Sequence, residues 1–120
     1  MKAIVYLGKT RMELQDVPDP VLGEGEVLLQ VRACGICGSD MHGYHGHDPR
    51  RVPPMIMGHE AAGIVTELGE GVDSLALGDR VVVALSPACG ECLFCNEGAP
   101  NRCLQMIPGV MHSTLLDGTT

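Results

Sequence analysis

Along residues 1–7 the chain reads MKAIVYL, with apolar side chains on alternate positions, so Ala3, Val5 and Leu7 share one face of an extended segment. The same period of two returns in EVLLQVRA (26–33), where Val27, Leu29 and Val31 share a face. HEAAGIVTEL (59–68) predicts a third strand and DRVVVAL (79–85) a fourth, joined by the glycine-punctuated GEGVDSLALG. Between the first two strands, DVPDPVLGEGE is rich in Pro and Gly and reads as a turn-filled connection. SDMHGY (39–44) predicts a helical turn, with Ser39 or Asp40 as its cap. Short strands, many glycines and little helical periodicity predict a mainly β fold, a small barrel or sandwich.

At 120 residues the chain is expected to form one domain, 1–120, with a single core. Tyr6, Tyr44 and Phe94 are its few aromatics, so that core must be built from Val, Leu, Ile, Ala and Met, with Met55 and Met57 filling gaps. A formal charge of −7 argues against nucleic acid, which selects basic surfaces. No run of about 18 apolar residues predicts a membrane span. The apolar stretch at the N-terminus is too short for a signal peptide, which makes the cytoplasm the expected location. The last residues, STLLDGTT, end without a strand or helix, so the domain is expected to be incomplete at its C-terminal end.

Four of the six cysteines crowd into PACGECLFCNEGAPNRC (87–103): Cys89, Cys92, Cys95 and Cys103. Disulfides, an iron–sulfur cluster and a tetrahedral metal site all use clustered cysteines. In a reducing compartment thiols persist, and bridges among the first three would close loops too short to restrain the unfolded chain much. A bacterial ferredoxin run begins Cys-x2-Cys-x2-Cys but continues with three residues to a Cys-Pro; here seven intervene and Leu104 follows Cys103. Four thiolates suit a closed structural zinc site, and the spacing favours that reading for a lobe of about 87–104. Apparent zinc affinities of zinc-finger peptides, about 10–16 kcal/mol, exceed any packing that Leu93 and Phe94 can supply, so the lobe is expected to be disordered without its ion.

A second set of donors is dispersed. Cys37 is followed by Ser39, Asp40 and His42, and GHE supplies His59 and Glu60. A catalytic zinc takes three protein ligands and keeps a corner open. In an extended backbone His59 and Glu60 would point to opposite faces, so both reach one ion only if the chain bends, which Gly58 makes cheap. Spacing alone does not choose between such a site and a core cysteine beside an ordinary surface histidine. Cys34 reads as a buried, inert strand residue, His45 and His47 as parts of a solvated loop, His112 as a surface residue, and Glu67, Glu70 and Asp73 as a solvated acidic edge.

These segments together resemble a known family. GHEAAGIVTELGEGV is similar to the zinc-containing alcohol dehydrogenase signature: Gly58-His59-Glu60, two residues, Gly63, five residues, Gly69, then Val72. ACGICGSDMH resembles the segment carrying that family's catalytic-zinc cysteine, and LGDRVVV and the four-cysteine lobe resemble two further hallmarks in the same order. The resemblance implies the GroES-like (chaperonin-10-like) β-barrel catalytic domain of the medium-chain dehydrogenase/reductase superfamily, without its Rossmann half. It implies Cys37 and His59 as catalytic zinc ligands, Glu60 as a ligand in some states, and Asp40 behind His59, holding its free ring N–H. Ser39 would pass the alcohol proton inward, His42 would hand it to solvent, and Cys89, Cys92, Cys95 and Cys103 would hold a structural zinc. The implied function is hydride transfer between an alcohol or polyol and its ketone or aldehyde. NAD or NADP would be bound only through the absent half, in a parent homodimer or homotetramer, and the 120 residues alone are expected to be inactive. The alternative is a zinc-stabilised, non-catalytic binding or oligomerisation module.

Overall fold

Strand β1 (Lys2–Gly8) runs through the middle of a three-stranded antiparallel sheet, ordered β2-β1-β4, in a computed structural model that describes residues 1–85 and 88–106. Its central position pairs both of its edges, and at its midpoint both faces are covered as well. Ala3 and Val5 are buried on the face that alternation predicts, and Tyr6, 3% exposed, is buried on the other. The chain reverses at Gly8 and Thr10, both at positive φ (135° and 58°), into β2 (Arg11–Asp16). The Thr10 amide donates to the Tyr44 carbonyl at 2.7 Å, which ties this hairpin to the segment carrying the candidate chemistry. β4 (Met55–Ile56) follows a cis Pro53–Pro54 bond and pairs with Val5 and Tyr6.

The second sheet, ordered β3-β5-β6, is formed by β3 (Val27–Gly35), β5 (Glu60–Leu68) and β6 (Arg80–Val82). β3 and β5 pair along their whole length with two irregularities, one at Thr66 and one at Arg32. The Thr66 hydroxyl donates to the Leu28 carbonyl at 3.2 Å, where the extra residue enters. Extra residues of this kind bend a strand and change which face its side chains meet. Val31, expected to share a face with the half-buried Val27 and Leu29, is 57% exposed and adjoins the irregularity at Arg32; the rest of β3 from Gln30 onward is exposed as well. Val65, 1% exposed, anchors this sheet: its amide and carbonyl bond Asp79 and Gly78, closing the loop before β6. β6 is shorter than the DRVVVAL pattern predicts, although the Val83 amide still reaches the Ala61 carbonyl at 2.8 Å.

Two signature glycines have a steric reason. A Cβ on Gly63 would lie 2.7 Å from the Gln30 carbonyl oxygen across the β3–β5 ladder, and one on Gly69 would collide with the Gly23 carbonyl oxygen. The mainly β class is as expected. The helical segments are α1 (Gly38–Tyr44), the single turn α2 (Leu93–Asn96) and a 3-10 turn (Pro100–Arg102). His112 and the terminal STLLDGTT lie outside the described residues, as does Pro87 at the start of the lobe.

Candidate metal centres

Cys37 caps α1 at its N-terminal end, in an extended conformation (φ −89°, ψ 161°). The cap is therefore neither Ser39 nor Asp40. Asp40 instead occupies the third helical position and reaches back, its Oδ2 accepting the Cys37 amide at 2.9 Å. This is the geometry of a capping box, with cysteine where serine or threonine usually stands. It leaves Asp40 buried at 7% exposure, with Oδ1 lacking a hydrogen bond and lying 3.5 Å from His59 Nδ1. A buried carboxylate behind an imidazole fixes the ring's orientation and leaves its other nitrogen to bind.

His59 and Glu60 arrive from the other direction, on the run from β4 into β5. Gly58, immediately before His59, has φ +119°, which supplies a bend that an extended GHE lacks. A sulfur of Cys37, a ring nitrogen of His59 and a carboxylate oxygen of Glu60 consequently all lie within 4.8 Å of one another. Ser39 donates its hydroxyl toward Cys37 Sγ at 3.6 Å. Ser39 and His42, three residues apart on α1, line an open recess of about 400 Å³ with His47, Asp48, Pro49 and Arg50. His47, expected in a solvated loop, lines the recess, and Asp48 with Arg50 is an addition to the expected set. Asp48 accepts Arg50 Nε and a second Arg50 nitrogen, each at 2.8 Å, and the Arg50 side chain beside it lowers its carboxyl pKa to about 2. An aspartate followed closely by two arginines in HDPRR was the available signal.

Cys34 departs from expectation. It is exposed rather than buried, because every residue of β3 from Gln30 onward lies on an uncovered part of the sheet. His45 and His47 are exposed, as read, as are Glu67, Glu70 and Asp73.

The second cluster comes together through three short devices. α2 places Cys92 at its cap and Cys95 one turn on, and the 3-10 turn delivers Cys103. Cys92 Sγ lies 3.5 Å from Cys95 Sγ and 4.0 Å from Cys103 Sγ, while the Cys89 amide donates to Cys103 Sγ at 3.3 Å. Four sulfurs at about 2.3 Å from a tetrahedral zinc would stand about 3.8 Å apart, so this donor set fits that ion. The separations are far beyond the roughly 2 Å of a disulfide. Amides of Leu104 and Cys95 bring the Cys92 thiol down to about 6, and the Cys89 amide also lowers Cys103. Burial pushes Cys95 up to about 12. Arg102 stacks over the Phe94 ring at 4.3 Å and clamps the two turns together.

With this geometry established, comparison with known proteins is direct. The family model described as the alcohol dehydrogenase GroES-like domain matches residues 23–119. The chain belongs to that family. A zinc-type alcohol dehydrogenase-like protein of Bacillus subtilis is 42% identical over 106 residues, covering 88% of this chain and 28% of its own length. An alcohol dehydrogenase from Thermus sp. ATN1 superimposes with a TM-score of 0.79 at 40% identity, covering 88% of this chain and 30% of that one. An alcohol dehydrogenase of Escherichia coli CFT073, solved with NADH, gives a TM-score of 0.72 at 39% identity, with coverages of 86% and 30%. The chain thus spans about three-tenths of the length of such relatives.

Proposed function

We propose that this chain is the catalytic domain of a zinc-dependent, NAD(P)-linked alcohol or polyol dehydrogenase. The convergence of Cys37, His59 and Glu60 within 4.8 Å carries the reading, because three donors of different chemistry from two segments meet beside the Ser39–His42 recess. Cys37, His59 and Glu60 would hold the catalytic zinc, and Cys89, Cys92, Cys95 and Cys103 the structural one. Zinc bound at the first set supplies Lewis acidity, making an alcohol hydroxyl acidic enough to lose its proton near neutral pH.

The chain's own residues perform the remaining tasks. Asp40 orients His59 through Nδ1 and, through the Cys37 amide, holds the turn that presents the thiolate. Ser39 accepts the substrate's hydroxyl proton as it releases its own toward His42, whose imidazole stands exposed at the recess and can pass it to water. The hydride acceptor, NAD or NADP, is bound by a part of the parent protein outside these 120 residues; the relative solved with NADH is nearly three times as long as this chain. The parent is a cytoplasmic homodimer or homotetramer, and the isolated chain is inactive.

Metal analysis of the purified chain tests this. Two zinc ions per chain are expected, falling to one in Cys37→Ala or His59→Ala. One ion per chain in the wild type, unchanged by either substitution, would favour a purely structural module. Cofactor reduction by residues 1–120 alone with alcohols or polyols would overturn the predicted inactivity.

A further inference from the structure

Glu60 is the one exposed member of the three clustered donors, yet its carboxylate turns toward the other two, with an oxygen within 4.8 Å of the Cys37 sulfur and the His59 nitrogen. What permits that turn lies on the neighbouring strand. Gly35 is the last residue of β3 and stands directly opposite Glu60 in the β3–β5 register. Residues so opposed send their side chains to the same face, normally with Cβ atoms about 4.5–5.5 Å apart. Here a Cβ on Gly35 would lie 3.1 Å from Glu60 Cβ and 2.5 Å from its Oε2. The three atoms nearest that position all belong to Glu60. The Gly35 backbone itself lies outside the left-handed region, so nothing in its conformation calls for glycine. The space, rather than the φ angle, is what this glycine provides.

We infer that Gly35 is a positioning residue: its missing side chain is the slot in which the Glu60 carboxylate lies, and this slot lets Glu60 act as a ligand at the Cys37–His59 centre. The inference rests on the proposed role of that centre. A methyl at position 35 displaces the carboxylate first, because the three atoms nearest to it are all Glu60's and none belongs to Cys37 or His59. Glu60 and its neighbour thus form a unit in which one residue's absence of bulk sets whether the other coordinates.

The test uses the 120-residue chain with its four-cysteine lobe filled with zinc, titrated with Co²⁺ as the probe of the second centre. Glu60→Gln is expected to weaken that cobalt about tenfold. Gly35→Ala is expected to weaken it by a similar factor, and the double variant no further than either. Unchanged cobalt affinity in Gly35→Ala beside weakened affinity in Glu60→Gln would overturn the inference while leaving Glu60 a ligand. Unchanged affinity in Glu60→Gln would remove Glu60 from the centre, and the role of Gly35 with it. Retained zinc in the lobe reports a folded chain. Thermal unfolding gives a second, metal-independent reading: Gly35→Ala should lower the midpoint in the wild-type background and leave it unchanged in Glu60→Gly, which removes every side-chain atom the methyl meets. An equal drop in both backgrounds would show that the methyl meets something other than Glu60.

Discussion

Two carboxylates illustrate how single residues divide the work in this domain. Asp40 is buried and faces His59, so Asp40→Asn removes the charge that orients the ring while keeping an oxygen for the Cys37 amide. Metal affinity at the Cys37 centre should fall 10–100-fold in a competition titration, with the lobe's metal unaffected. Asp48 serves the recess wall. Its folded pKa is lowered to about 2 from 3.8 by the Arg50 hydrogen bond, so the stability it contributes is fully present above about pH 4 and disappears as pH falls through about 2. Asp48→Asn should cost on the order of 1–2 kcal/mol in urea unfolding at pH 7, discounted for the half-exposed arginine, and the difference should vanish only below about pH 2. The proposed ligands were legible in the sequence because cysteine and histidine have few reasons to cluster. The capping role of Cys37 was not, since cysteine is rarely read as a helix cap. Nor was the exposure of Cys34, which depends on what covers a sheet rather than on the strand itself.

At the level of elements, the pairing of β3 with β5 organises everything that follows. It sets Gly35 against Glu60 and brings β5's entry, with His59, to the end of β3 where Cys37 begins α1. The tolerance at its centre is narrow. Gly63→Ala would place a methyl against the backbone of Gln30, 2.7 Å from its oxygen, which a carbonyl in a ladder cannot evade by rotating. A loss of about 1–3 kcal/mol is expected, read as a lower thermal midpoint. The longer strands and the bend at Gly58 were foreseeable from alternation and glycine placement. β2 carried a readable signal in Met12 and Leu14 alternating with Glu13 and Gln15, but it abuts a Pro-rich connection that obscures its end. β4, at two residues, is too short for any period to register, and α2 and the 3-10 turn are set by the cysteines they deliver.

The whole molecule combines two thin sheets with a lobe whose buried sulfur is Cys103, and its described core is small: Ala3, Val5, Tyr6, Val65 and Cys103. Ile36 and Val82, each 81% exposed, and Val21, 92% exposed, leave much apolar surface uncovered. The zinc proposed for the lobe would supply what so little packing does not. A strong chelator should therefore abolish amide-exchange protection in residues 88–106 while the β1–β2 and β3–β5 ladders keep theirs. The central claim is that the two centres differ in kind, one enclosed by four sulfurs and the other open beside Ser39 and His42. Cobalt absorption on addition of imidazole, a small neutral ligand, tests this most directly. Bands lost in Cys37→Ala should shift as imidazole enters the open corner, while the four-cysteine bands stay fixed. Bands that ignore imidazole altogether, or a spectrum that Cys37→Ala leaves intact, would contradict it.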